Sequence, residues 1–419
     1  MRAGHSSALQ LMLAITGAAL NAAYIVTSAA GRPIATHVTA TAVSERAGLI
    51  VMGRPLRAAE VKRRLRRFNI ATDGLFEAEA LRAALAKSVP EALGSGHAVP
   101  LTRLGASRGA MGAGVVVDES KCFWAVRLET EVAAADASPL LFVLDSAASH
   151  SLISTDAARA LGASATGVTA TSATATADTR QQGLSQVDLG KVRLSDGFEC
   201  GALQPVVMDV PVAAAGLLGL DFLSRFDIEL VLERAMPRAV FHPKGTARSA
   251  DSGITRGMSC LKGRRLPRSG LIVVPLRMKA AAPYSSSSSV TSRASPPIET
   301  LVDLGSSSTV CNWAALKAAG IDRDDPRVRL TDNVIAGASG EPVRVSEVKL
   351  TLCFDTDNGS ERVVKMGVAD LPIFSMLGLN GPMVVLGLDA IGGDDTRAAP
   401  ARVVMAAAED SFWISQQAA

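Results

Sequence analysis

The chain is poor in aromatics, cysteine, histidine and net charge, and each shortage excludes something. Its 419 residues hold 11 Phe, 3 Trp and 2 Tyr, only 4% in all, so Ala, Val and Leu must fill the core. The five cysteines, Cys122, Cys200, Cys260, Cys311 and Cys353, are scattered without a C-x-x-C pair. That spacing argues against a dense disulfide scaffold, and the odd count leaves at least one thiol unpaired within the chain. The five histidines, His5, His37, His97, His150 and His242, show no zinc-ligand spacing, so neither a metal site nor another cofactor is expected. The 43 basic and 40 acidic residues leave a net charge of +3, which gives no global electrostatic case for a nucleic-acid partner. What remains is 48% hydrophobic and long enough for two or three domains.

No Asp or Glu precedes Glu45. Arg2 leads into an apolar stretch from about Ala8 to Val26, followed by Ser28-Ala29-Ala30. A basic start, an apolar run and small residues describe a secretory presequence, and the Ser/Thr/Ala-rich, acid-free run through Ser44 equally suits an organelle transit peptide. Residues 1–44 are therefore expected to be a targeting or disordered segment, with the compartment left open. Thr16 and Asn21 interrupt the run, so no stable membrane span is expected after processing.

Residues 54–88 carry Val61, Leu65 and Phe68, then Leu75, Leu81 and Leu85, at helical spacing on either side of Thr72-Asp73-Gly74. This pattern predicts a helix–loop–helix with its own small core. It resembles the small SAP-like helical hairpins through Val61, Leu65, Phe68 and Ile70. Seven basic residues against Glu60 lie between Arg54 and Arg67. They read as a solvated basic face, with phosphate binding as the competing reading.

From residue 97 onward short β-type runs alternate with Gly, Ser, Asp and Pro, and the sequence repeats itself. Leu140-Leu-Phe-Val-Leu-Asp145-Ser-Ala-Ala-Ser149 parallels Ile298-Glu-Thr-Leu-Val-Asp303-Leu-Gly-Ser-Ser307. Each is an apolar strand ending in Asp, then small residues, then a helical stretch (Thr155–Leu161 and Asn312–Ala319). Downstream, Gly216-Leu-Leu-Gly219-Leu-Asp-Phe-Leu223 parallels Val384-Val-Leu-Gly387-Leu-Asp-Ala-Ile391. The separations are 74 residues from Asp145 to Gly219 and 84 from Asp303 to Gly387, and the two aspartates stand 158 apart. Two motifs in the same order at similar spacing predict a duplicated unit. Within each copy an alternating strand, Val187–Leu194 or Val345–Leu352, precedes a turn signal, Ser195-Asp196-Gly197 or Asp357-Asn358-Gly359.

The arrangement resembles the aspartic peptidases, pepsin-like in carrying two lobes on one chain and retropepsin-like in its local motifs. The resemblance rests on Val143-Leu144-Asp145-Ser146 with Leu217-Leu218-Gly219, and on Leu301-Val302-Asp303 with Val385-Leu386-Gly387. It implies a mostly β fold of two duplicated lobes with short helices, lobe 1 over 97–248 and lobe 2 over 267–415. Residues 249–266, with Gly253, Gly257, Gly263 and Lys262-Gly-Arg-Arg265, are expected to link them. It also implies Asp145 and Asp303 as the catalytic pair, supported by Ser146, Gly305, Gly219 and Gly387, and a polypeptide substrate for a monomeric endopeptidase. Facing carboxylates cannot both ionise cheaply, so such a pair supplies an acid and a base together.

Three departures from the family pattern stand out. Ala147 occupies the Gly position of the first triplet, and Leu304 the Thr/Ser position of the second. The flap candidates, Gly167–Gln182 and Ile335–Val343, contain no Tyr. The alternative on the same fold is a catalytically inactive protein that binds peptides or serves as a scaffold.

Overall fold

The computed structural model describes residues 10–14, 23–27, 58–67, 70–72, 77, 80–81, 83–84, 96–105, 122–133, 138–173, 180–208, 210, 213–233, 235–248, 253–267, 269–281, 294–335, 343–354, 361–392 and 401–415. The chain is mostly β, with short helices, and the Asp-bearing unit occurs twice. Apolar alternation along the strands builds one continuous core running through both copies. Phe123, Phe142, Phe222, Phe241 and Phe412 are its largest fully buried side chains. Among the described residues most phenylalanines are spent inside.

In the first copy, strand Leu140–Leu144 runs antiparallel to Cys122–Thr130 on one side and parallel to Gly216–Leu218 on the other. In the second, Ile298–Val302 lies between Ile272–Ala280 and, in parallel, Met383–Leu386. The registers correspond: Leu217 faces Val143 and Leu218 faces Leu144, as Val385 faces Leu301 and Leu386 faces Val302. After each Asp strand comes a two-residue strand and a six-residue helix. Ser154 caps Thr155–Ala160 by accepting the Ala157 N–H, and Asn312 caps Trp313–Ala318 by accepting the Ala315 N–H. The sequence repeat thus extends to the helix caps.

Each copy carries a hairpin at one edge of its sheet, Ser164–Ala173 with Arg180–Asp188 and Arg329–Ile335 with Val343–Cys353. These strands flank the flap candidates, whose central residues 174–179 and 336–342 lie outside the described residues. So does the expected Asp357-Asn358-Gly359 turn. The Ser195-Asp196-Gly197 turn forms as expected: Gly197 has φ +81° and Leu194 bonds Phe198 across it.

A third, six-stranded sheet joins the halves. Its order is Met258–Lys262, Ser411–Ser415, Ala401–Ala406, Phe226–Leu232, Arg238–Pro243, His97–Pro100. The central pairing, Phe226–Leu232 with Ala401–Ala406, crosses from one copy to the other. Part of the expected linker therefore belongs to a sheet. Met258–Lys262 pairs with Ser411–Ser415, and Met258 and Leu261 are buried. Gly263 is a close-approach site: a Cβ there would stand 2.6 Å from Val273 O and 2.8 Å from Asp410 O.

A second correction concerns the basic helical module. Ala58–Arg67 is helical, but its buried face is not self-contained. Val61, Leu65 and Leu81 share one cluster with Ala98 and Val240 of the six-stranded sheet. A stretch this short cannot bury an apolar stripe against itself, so it takes the last two strands of that sheet as partners. Arg63 and Arg66 remain exposed. Of the expected targeting segment, Gln10–Ala14 and Ala23–Thr27 pair antiparallel, and the rest of 1–44 lies outside the described residues. Among the described residues no helix is long and apolar enough to cross a membrane.

Candidate functional site

Asp145 and Asp303 each leave an apolar strand at the point where it meets its parallel neighbour. The Asp145 amide donates to Leu218 O at 3.0 Å, and the Asp303 amide donates to Leu386 O at 2.9 Å. One carboxylate oxygen then closes the following turn. Asp145 Oδ1 accepts the Ala147 N–H at 2.9 Å, and Asp303 Oδ1 accepts the Gly305 N–H at 3.0 Å. Both side chains are fully buried.

Glycine is required behind each loop. A Cβ on Gly219 would lie 2.5 Å from His150 C and O, and one on Gly387 would lie 2.5 Å from Ser308 C and O. The gap lets Leu220 N bond Ala148 O and Leu388 N bond Ser306 O, each at 2.7 Å. Gly305 has no positive φ, and neither does Ala147. The turn therefore needs no left-handed residue, and the Ala147 methyl is buried there without backbone strain.

The two loops meet through Ser146. Its Oγ donates to Val302 O at 2.8 Å and accepts the Leu304 N–H at 3.0 Å. A residue from the first copy thereby holds the backbone on both sides of Asp303. The mirror position is Leu304, buried and with no hydroxyl to return the clasp. The site is pseudo-symmetric in backbone and asymmetric in side chains. Ser306 continues the asymmetry: its Oγ donates to Ser308 O at 2.7 Å, where the first copy has Ala148.

Sequence reasoning missed a second ring of polar groups. Ser151 Oγ donates to Asp221 Oδ1 at 2.8 Å and accepts the Gly219 N–H at 3.1 Å. Thr309 Oγ1 donates to Asp389 Oδ1 at 2.5 Å and accepts the Gly387 N–H at 3.0 Å, while Asp389 Oδ2 accepts the Thr309 N–H at 3.0 Å. The signal was present: Leu-Gly-Leu-Asp recurs, and Ser151 and Thr309 stand at equal offsets from their aspartates. Beside this ring, burial pushes the His150 ring below its ordinary value, and the Asp221 carboxylate acts in the opposite sense.

Two buried thiols, Cys200 and Cys311, fit no nucleophilic role. Burial pushes Cys200 and Cys311 up to about 12, well away from the thiolate needed for attack. Among the described residues no group of three or more His, Cys, Asp or Glu could hold a metal ion.

A family model described as aspartyl protease matches residues 130–222. That span holds Asp145, Ser146 and Gly219 and ends before the second copy. No curated protein matches the chain. Among solved structures, basic 7S globulin from soybean is similar at 9% identity, covering 75% of this chain and 95% of that one, with a TM-score of 0.38. The first Asp-bearing unit is thus aspartyl-protease-like in sequence, and the second repeats its hydrogen-bond pattern.

Proposed function

We propose that the chain is an aspartic endopeptidase in which Asp145 and Asp303 together activate a water for attack on a peptide carbonyl. The observation that carries this reading is the Ser146 clasp. It joins two loops that are alike in four respects: an amide bonded to the parallel strand, a carboxylate closing the turn, a glycine behind, and a capped helix after. In the proposed reaction one carboxyl is ionised and takes a proton from the water. The other is protonated and gives its proton to the scissile carbonyl oxygen. The tetrahedral diol then collapses, the C–N bond breaks, and the amine leaves with a proton from the pair. Ser146, Gly305, Gly219 and Gly387 hold the geometry and take no part in the proton transfer.

The rival reading is a peptide-binding protein without turnover, and one feature favours it: Leu304 deprives the second loop of the hydroxyl that the first supplies. Incubation with unfolded casein across pH 3–8, followed by mass spectrometry of the fragments, separates the two. Fragments lost in Asp145→Asn and in Asp303→Asn support the peptidase. Intact casein at every pH, together with binding of a hydroxyl-bearing transition-state mimic of a peptide, supports the rival. A targeting role for residues 1–44 and a processed, monomeric mature chain belong to the same proposal.

A further inference from the structure

We infer that Asp221 and Asp389 are positioning residues that set the two Asp loops through a hydroxyl relay. The functional half of this inference rests on the peptidase reading above. In the first copy the chain of contacts runs from the Asp221 carboxylate to the Ser151 hydroxyl and on to the Gly219 amide. Gly219 directly follows Leu218, whose carbonyl receives the Asp145 amide. In the second copy Asp389, Thr309, Gly387, Leu386 and Asp303 form the same series.

The direction of the relay is chemically determined. A carboxylate only accepts, so each hydroxyl must donate to it and turn its lone pairs toward the glycine N–H. That orients the hydroxyl and makes the first bond charge-assisted. Each glycine is packed closely on one side, where a Cβ would stand 2.5 Å from the backbone of His150 or Ser308. The relay therefore fixes how far the Leu217–Gly219 and Val385–Gly387 segments stand from the Asp loops, and with it the depth of each carboxylate.

The two relays differ in a way that can be tested. Asp221 Oδ1 takes the Ser151 hydroxyl, and the structure shows no Ser151 amide bond to Asp221. Asp389 uses one oxygen for the Thr309 hydroxyl and the other for the Thr309 amide. An Asn can replace the first arrangement by keeping its carbonyl toward Ser151. At 389 an Asn meets a donor either way: its NH2 opposes the Thr309 N–H or, turned over, the Ala390 N–H that Asp389 Oδ1 accepts.

The test uses the full chain in Asp221→Ala, Asp221→Asn, Asp389→Ala and Asp389→Asn forms. Hydrogen exchange of segments 217–221 and 385–389 is followed beside steady-state cleavage of unfolded casein, at a temperature where circular dichroism shows all four folded. Each Ala variant is expected to speed exchange of its own segment about tenfold or more, since a charge-assisted buried bond is lost. Its kcat is expected to fall about a hundredfold with KM little changed, because the carboxylates are displaced and substrate binding is not. Asp221→Asn recovers most of both losses, and Asp389→Asn recovers little of either. Unchanged exchange in both Ala variants overturns the relay, as does a loss of kcat that merely follows the fall in unfolding temperature. Faster exchange in a chain that cleaves nothing would uphold the relay and sink the peptidase reading instead. Should an Ala variant not fold, Ser151→Ala and Thr309→Val break the same relays at the hydroxyl and carry the same expectations.

Discussion

Ser146 Oγ accepts the Leu304 amide at 3.0 Å while donating to Val302 O at 2.8 Å, so one hydroxyl from the first copy brackets Asp303 in the second. The contact lies in a fully buried environment and spans 158 positions of sequence. Its loss would orphan a buried donor and a buried acceptor together. Ser146→Ala is expected to destabilise the chain by about 1–3 kcal/mol, read as a lower denaturant midpoint at unchanged slope. Ser146→Thr, which keeps the hydroxyl, should retain most of that stability. Equal midpoints for the Ala variant and the parent would show that the clasp contributes nothing.

The glycines behind the loops make a second expectation. Gly219→Ala and Gly387→Ala each place a methyl 2.5 Å from backbone atoms that cannot swing aside. Overpacking of that kind typically destabilises by about 1–3 kcal/mol, and here the clash is with backbone. Thermal unfolding of each variant measures it. A variant as stable as the parent would mean that the loop behind Gly219 or Gly387 is looser than the structure shows.

A third concerns acid stability of the central sheet. Burial pushes the Glu229 carboxyl up, but the hydrogen bond from His242 and the charge and bonds of Arg402 outweigh it, so it sits below its ordinary value of 4.5. Arg402 Nε donates to Glu229 Oε1 at 2.7 Å across the junction between the two copies. A depressed carboxylate contributes stability that is complete above its unfolded value and is lost as pH falls through the folded one. Below about pH 4.5 the parent should therefore lose this contribution. Asp227 on the same strand has the opposite sign: burial raises it, so its contribution is present at low pH and is lost as pH rises through the raised value. Arg402→Met leaves Glu229 buried without its cation and is expected to destabilise by about 3–5 kcal/mol at neutral pH. The variant should also lose less stability than the parent between pH 5 and 3. Parallel pH–stability curves for the two proteins would contradict the assignment.

The helical module supplies a fourth. Because Val61, Leu65 and Leu81 pack on Ala98 and Val240, deletion of residues 54–88 should lower the unfolding temperature of the remainder. Leu65→Ala alone should destabilise by about 2–5 kcal/mol, in the range for a buried Leu truncation. An unfolding temperature unmoved by the deletion would restore the picture of an independent module.

Much of the site was legible because its signals are local and repeated. Asp145 and Asp303 each end an apolar strand, and Gly219 and Gly387 each follow two apolar residues, so two windows compared with each other revealed them. The Ser195-Asp196-Gly197 turn was legible because its chemistry lies within three residues. What stayed hidden depends on partners far away in sequence. Met258–Lys262 looks like a linker until Ser411–Ser415 is beside it, and Leu65 looks self-sufficient until Val240 is in contact. Asp221 and Asp389 stood in plain view within the repeat, but a carboxylate two residues past a glycine reads locally as a helix-start residue. Only the paired hydroxyls of Ser151 and Thr309 assign it another role.

Leu304 tests whether the asymmetry of the clasp limits turnover. Leu304→Thr offers the second hydroxyl but removes buried apolar volume. The unfolding temperature should fall while kcat on unfolded casein rises. A fall in both would mean that the single Ser146 clasp already holds the loops as firmly as the chemistry needs.

The most direct test of the central claim is the pH profile of casein cleavage by the parent chain, Asp145→Asn and Asp303→Asn, each confirmed folded. The parent should cleave with a bell-shaped profile on the acid side, because one carboxyl must be ionised while the other keeps its proton. Both Asn variants should be inactive at every pH while unfolding near the parent's temperature, since Asn keeps the shape and the Oδ1 acceptor of each turn. Cleavage that survives in either variant, or a parent that cleaves at no pH, would contradict the assignment of Asp145 and Asp303 as a working pair.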